Sequence, residues 1–261
     1  MVSTLKQRIS SYRDSFSYKI MRKIPIVVNI NARSSQKTTA KLEKPHSNKF
    51  SNAMCATTVK LCHELEGAIL AYSFSDDITV IIRNDQSFDT QPWFNNDIQK
   101  INSVAASIAT LEFSKAAISV GMDLNEVTFL SHVFAVPNLT EVSNLLIAKQ
   151  QLATQSAIGF AAYYELYKKY GEDSEDILQG RTLDEKEELL AEECGISFNE
   201  YPSVFKRGFA VYRAPSIIGG LSGQSIKNKW IVNPDIPLFT KEHSFLNNLL
   251  KTGADIVRLP V

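Results

Sequence analysis

The stretch Ala68-Ile69-Leu70-Ala71-Tyr72-Ser73-Phe74-Ser75-Asp76-Asp77-Ile78-Thr79-Val80-Ile81-Ile82-Arg83 decides the fold. Two runs rich in β-branched and aromatic residues flank a short polar segment, the pattern of a β-hairpin. The strands are expected over residues 68–73 and 78–83, with Asp76 and Asp77 at the tip. Ser and Asp are ordinary turn residues, because their side chains hydrogen-bond the local backbone. Paired carboxylates at a hairpin tip are also what two-metal phosphoryl transfer uses: hard oxygen ligands that hold divalent ions about 4 Å apart. Spacing alone leaves both readings open.

Working outward, Leu5, Ile9, Tyr12 and Phe16 recur at helical spacing and predict a helix over residues 4–19. Pro25 breaks the chain, and Ile26-Val27-Val28-Asn29-Ile30 reads as a buried strand. Residues 31–49 have no periodicity and carry Lys37, Lys41, Lys44 and Lys49, so a loop is expected. An amphipathic helix over 50–65 ends at Gly67. Beyond the hairpin come a long Ala- and Ser-rich helix over 93–117 and a strand over 127–136, stopped by Pro137. This order suits an α+β, ferredoxin-like layer, the arrangement of polymerase palm domains. The rest reads as mostly helical, with one long helix or two joined ones over 139–170, a helix over 184–194 and two strands within 211–232 around a loop at 215–223. The expected division is a palm-like domain over residues 1–138 and a mostly helical C-terminal portion over 139–261, packed on it as one unit. Gly219, Gly220 and Gly223 do not make a phosphate loop, because no Lys-Ser/Thr follows at the required spacing.

With 261 residues the chain can bury a substantial core. Its formal net charge is zero, so any RNA surface must come from local segregation of charge. Three cysteines without a C-x-x-C spacing argue against a disulfide framework or a zinc knuckle, and Cys55 and Cys62 read as core thiols on one helical face. No apolar run approaches the ~20 residues of a membrane span. Lys6, Arg8, Arg13, Lys19, Arg22 and Lys23 against Asp14 mimic a targeting peptide, but the segment runs straight into a strand, so a reducing cytoplasm is expected. His46 and His63 lack metal-ligand spacing and read as surface positions, and His132 as a strand histidine.

A set of segments stands out, in order: Val27-Val28-Asn29-Ile30-Asn31-Ala32-Arg33, Lys44-Pro45, Ala71-Tyr72-Ser73-Phe74-Ser75-Asp76-Asp77, the helix from Trp93, Gly195 to Gly208 and the run from Asp235. Together they resemble the tRNA(His) guanylyltransferase-like family, polymerases that add nucleotides 3′-to-5′. The first three segments meet a family strand of the form I-I-R-I-D-G-R/K, a Lys-Pro and the hairpin G/A-Y-x-x-S-D-E. A helix W-F-x-x-x-I-Q-K-x-x-S is matched from Trp93. A late G-I-N-W-N-D-x-P-x-x-x-K-R-G is matched by Gly195-Ile196-Ser197-Phe198-Asn199-Glu200-Tyr201-Pro202-Ser203-Val204-Phe205-Lys206-Arg207-Gly208, and D-I-P-x-F-T begins at Asp235.

The resemblance implies a palm fold and a magnesium-dependent nucleotidyltransferase acting on the 5′ end of tRNA. It implies Asp76 and Asp77 as catalytic acids, and Asp76 with Asn31 and the Ala32 backbone as the metal end. It implies Arg33, Lys44 and Ser75 at the nucleotide, Lys44 on the triphosphate, and Lys149, Lys206 and Arg207 toward RNA. It also implies a homo-oligomer, a dimer or tetramer, for which the small residues of 103–117 suit close packing. The departures fall on the polar site. Asn31 stands for an Asp, Ala32 for a Gly and Ser35-Gln36 for Phe-His. The helix W-R-Q-Q-D-A-T-R-N-S-I becomes Ala148-Lys149-Gln150-Gln151-Leu152-Ala153-Thr154-Gln155-Ser156-Ala157-Ile158. Loss of a charge beside two divalent ions weakens their binding, so magnesium is expected weak or lost. The expected function is a catalytically impaired relative that binds RNA or a nucleoside triphosphate such as GTP, or partners an active paralogue. The alternative is an active 3′-to-5′ nucleotidyltransferase.

Overall fold

The computed structural model describes residues 4–123, 127–220 and 223–253. The chain opens with α1 (Leu5–Asp14), β1 (Ile26–Arg33), α2 (Ser35–Thr39) and α3 (Asn48–Glu64). The hairpin β2 (Ala68–Phe74) and β3 (Asp77–Ile82) follows, then a 3-10 turn, α4 (Ile98–Ser119) and β4 (Thr128–Ala135). The second half holds α5 (Leu139–Tyr170), α6 (Asp173–Leu178), α7 (Leu183–Cys194), a second 3-10 turn, α8 (Ser203–Arg207), β5 (Phe209–Gly220), β6 (Gly223–Asn233) and α9 (His243–Thr252).

The strands form one antiparallel sheet in the order β4-β1-β3-β2-β5-β6. Its first four strands, with α3 and α4 as crossovers, make the ferredoxin-like βαββαβ layer. Period-two alternation divides the inner strands between two cores. Val28, Ile30, Val80 and Ile82 pack under α3 and α4 with Met54, Leu61, Ala105 and Phe113. Val27 and Ile81 face the other way, against Val142, Leu146 and Ala153 of α5 and Leu246, Leu249 and Leu250 of α9. Asn29 and Asn31 continue the Val27 face, and the register sets them beside Thr79 and Asp77. The polar end of the hairpin therefore looks toward α5.

Three expectations need correction. The segment 31–49, expected as a loop, holds the end of β1, the short helix α2 and the start of α3. The first helix stops at Asp14, closed at its start by a Thr4–Gln7 capping box, and none of its residues is buried. Its apolar stripe of Leu5, Ile9 and Tyr12 lies open, followed by an equally exposed Phe16. The loop expected at 215–223 is instead strand: β5 and β6 stay paired to Gly220 and Gly223, and residues 221–222 between them lie outside the description. Since β5 pairs with β2, the sheet draws on both halves of the chain. The small residues Ala105, Ala109 and Ala117 of α4 are fully buried in the chain's own core, so its close packing is internal. Among the described residues no helix is long and apolar enough to cross a membrane. The three cysteines are free; Cys62 is buried, and burial raises its thiol pKa well above the ordinary value.

Candidate functional site

The hairpin turns in two residues, Ser75 and Asp76, between β2 and β3. Ser75 sits at φ 51°, a left-handed conformation common in two-residue β-turns. This tight turn lays the tip against the end of β1: the Ala32 N–H donates to the Asp76 carbonyl at 3.1 Å, and Asn31 pairs with Asp77. The motif residues at 31, 32, 76 and 77 therefore adjoin, although they are far apart in sequence.

Asp76 and Asp77 point to different surroundings. Asp77 is the hub of a polar cluster on the α5 side of the sheet. The Lys149 ammonium reaches from α5 to its Oδ1 at 2.7 Å, and the Thr79 hydroxyl also meets Oδ1 at 3.3 Å. Asn29 Nδ2 donates to Oδ2 at 2.9 Å, and Asn31 Nδ2 donates to the same oxygen. Lys149 and Asp77 have side-chain exposures of 23% and 29%, so the ion pair is screened less than a surface pair. Asp76 lines a cleft and has no side-chain partner among the described residues.

That cleft, of about 840 Å³, lies between the 35–51 segment, the hairpin tip, α5 and α8. Lys44 stands in it with its Nζ 3.4 Å from the Thr39 hydroxyl and 5.2 Å from the centre of the Tyr164 ring. Tyr163 packs edge-on to Tyr164, with ring centres 5.0 Å apart, and Phe160 continues this aromatic wall one turn earlier on α5. Ser75 and Asp76 form the opposite lip. Glu43 and Glu175 also line the cleft, so its positive charge is concentrated at Lys44.

His46, expected at the surface, is half-buried in this cleft against the Phe205 ring at 5.5 Å. Its Nε2 is buried without a partner. Burial holds its pKa below the ordinary 6.5, against smaller opposing effects of Asn48 and Glu43.

The remaining expected site residues lie elsewhere. Arg33 ends β1 exposed, outside the cleft lining. Lys206 Nζ donates to the Asn199 carbonyl at 2.6 Å. Arg207 donates to the Ile236 carbonyl at 2.7 Å and pairs with Asp235 at 3.2 Å, bracing α8 against the segment after β6. Sequence reasoning missed Asn29, Thr79 and the aromatic wall. Polar residues at 29 and 31 within an apolar strand, and aromatics at 160, 163, 164 and 167 on one helix face, were the signals available.

Comparison with known proteins bears on the family and the fold. The family model for tRNAHis guanylyltransferase matches residues 6–137, the span that builds β1 through β4. The tRNA(His) guanylyltransferase of Saccharomyces cerevisiae is 26% identical over 187 residues, 69% of this chain and 76% of the relative. A probable tRNA(His) guanylyltransferase of Dictyostelium discoideum is 23% identical over 204 residues, 75% of this chain and 78% of that one. Among solved structures, a bacterial tRNA(His) guanylyltransferase-like protein in complex with ATP superposes with a TM-score of 0.82 at 24% identity, covering 95% of this chain and 99% of the other. A complex of such a protein with GTP gives 0.75 over the same shares, also at 24% identity. At these identities the structural likeness speaks for the fold. The family model spans just over half of the chain, including strand β1 and the hairpin tip and Lys-Pro segment that line the cleft, and the chain belongs to the tRNA(His) guanylyltransferase family.

Proposed function

We propose that this chain binds a nucleoside triphosphate in the aromatic cleft, binds tRNA or a related RNA, and is impaired as a nucleotidyltransferase. One juxtaposition supports the nucleotide reading: Lys44, Ser75 and the unpartnered Asp76 share a cleft with Tyr163 and Tyr164. An ammonium forms charge-assisted hydrogen bonds to phosphate. An aromatic ring stacks any base, with about 1–3 kcal/mol per base at stake.

The donors at the end of β1 and β3 support impairment. Two-metal transfer needs carboxylate oxygens available to divalent ions. Here Asn31 brings no charge and aims its N–H at Asp77, while Asp77 is engaged by Lys149. Ala32 contributes its N–H to the Asp76 backbone. Only Asp76 keeps a free carboxylate, and among the described residues no three His, Cys, Asp or Glu side chains converge as metal ligands. This donor set does not fit a pair of magnesium ions, and magnesium binding is proposed to be weak or lost.

The role that remains is to hold RNA or nucleotide, or to partner an active paralogue, in the cytoplasm. Lys149 and Arg207 reach RNA only by giving up internal partners, so Lys206, tied to a single carbonyl, is the better phosphate contact. A homo-oligomer, dimer or tetramer, belongs to the same proposal and is supported by the open apolar stripe of α1. A second reading, an active magnesium-dependent enzyme adding GTP to an RNA 5′ end, has one observation in its favour: the free Asp76 carboxylate in the cleft.

Calorimetric titration with ATP and GTP tests the nucleotide reading. The wild type is expected to bind, and Lys44→Ala to weaken binding by about tenfold, equivalent to ~1.4 kcal/mol. No binding by the wild type, or equal binding by Lys44→Ala, overturns it.

A further inference from the structure

We propose that the Lys149 ammonium is a built-in counter-cation, taking the place of a divalent ion at the end of β1 and β3. The inference rests on the reading of Asp76, Asn31 and the Ala32 backbone as the metal end of the site, with Asp77, expected as a catalytic acid, paired to Asn31 beside it. Four protein donors meet the two Asp77 oxygens: the Lys149 ammonium, the Thr79 hydroxyl and the amides of Asn29 and Asn31. An ionised carboxylate has about four lone-pair sites, so its accepting capacity is filled.

The charges also balance. The cluster holds one carboxylate, one ammonium and two neutral amides. A divalent ion entering it would face an ammonium already at hydrogen-bond distance from the cluster's carboxylate. Removing that ammonium is not a matter of ion exchange, because the cation is covalently part of α5. Leu146 and Ala153, on either side of Lys149 along α5, are buried in the core under the sheet at 0% and 3% exposure. The helix is anchored where the lysine leaves it, and the ammonium stays within reach of Asp77 whatever ions the solution contains. Asn31 is matched to this arrangement. Its amide donates to Asp77, where an Asp in its place would add a second negative charge and accept instead of donate.

The experiment uses the full chain without nucleotide and Mn²⁺ as the probe, with free Mn²⁺ read by electron paramagnetic resonance. Wild type, Asn31→Asp, Lys149→Met and the Asn31→Asp/Lys149→Met pair are compared, with circular dichroism to verify folding. Wild type and Asn31→Asp are expected to show no tight Mn²⁺ site. The double variant, with carboxylates at 31 and 77 next to that of Asp76 and no ammonium, is expected to bind one Mn²⁺ at least about tenfold more tightly than Asn31→Asp. Two results overturn the proposal. One is a Mn²⁺ site in wild type or Asn31→Asp as tight as in the double variant, because Lys149 then excludes nothing. The other is a folded double variant with no gain, because Lys149 is then only a clamp between α5 and the sheet. If the double variant does not fold, Asn31→Asp/Lys149→Gln, whose amide can still donate to Asp77, replaces it with the same two outcomes. ATP titration of the same proteins keeps the two readings apart: nucleotide binding by none of them refutes the cleft assignment and leaves the Mn²⁺ comparison standing.

Discussion

At the scale of single residues, the site separates two neighbouring acids that look equivalent in sequence. Asp77 begins β3 and its side chain follows the strand's alternation toward α5, where it is saturated. Asp76 belongs to the turn and escapes that alternation, so its carboxylate is left to the cleft. His46 makes the cleft sensitive to acid. Its buried imidazole is held neutral, with a folded pKa below the ordinary 6.5, so the unfolded chain binds the extra proton first as pH falls. Stability contributed by neutral His46 is present above the unfolded value of 6.5 and is lost as pH falls from there through the lowered folded value. Thermal unfolding measured between neutral pH and the range where carboxylates begin to titrate should show a falling midpoint, and His46→Gln should flatten that segment. An unchanged slope in His46→Gln would remove His46 as the cause.

At the scale of elements, β2 is gripped by the end of α8. Gly208 lies at φ 78°, and a Cβ there would stand 2.3 Å from the Ser73 carbonyl oxygen. The Tyr72 hydroxyl donates to the Arg207 carbonyl beside it at 2.9 Å. Gly208→Ala combines a left-handed backbone with a clash against a strand that cannot yield, so it should cost about 2–4 kcal/mol in denaturant unfolding. A loss below ~1 kcal/mol would mean that the α8–β2 joint is soft. The hairpin and the ferredoxin-like layer were legible because alternation and turn residues are local signals. Lys44, Ser75 and Asp76 were picked out by the family resemblance, since spacing alone left a plain turn and a plain loop open. The extension of β5 and β6 was not legible: Pro215 and the glycines near 219–223 read as loop, and only pairing along the edge next to β2 keeps them in strand. Helix α9 carried its own signal, Phe245, Leu246, Leu249 and Leu250 on one face, and was simply passed over. The partner of Lys149 could not be read at all. It depends on how a 32-residue helix crosses the sheet, a tertiary fact that placed on Asp77 a lysine expected at RNA.

At the scale of the molecule, α5 ties the architecture together. Its first half closes the core under the sheet, and its second half joins α7 and α8 through Ala157, Ala161, Leu190 and Phe205. The same helix supplies the aromatic wall of the cleft and the ammonium on Asp77, so the cleft and the Asp77 cluster are held as one body. The core and the backbone joints of a tRNA(His) guanylyltransferase-family fold are in place, while Asp77 at the polar end of β3 is satisfied from within and Asp76 is left to the cleft. Single-turnover addition of labelled GTP to a tRNA with a 5′ triphosphate, run in parallel with the Saccharomyces cerevisiae relative, tests this account most directly. The account predicts addition at least about a hundredfold slower than the relative's, a barrier difference of ~2.7 kcal/mol or more, together with retained binding of the nucleotide. Addition at a comparable rate would contradict it, and would mean that Lys149 leaves Asp77 and that a working metal site assembles around Asn31 and Asp76 when the substrates bind.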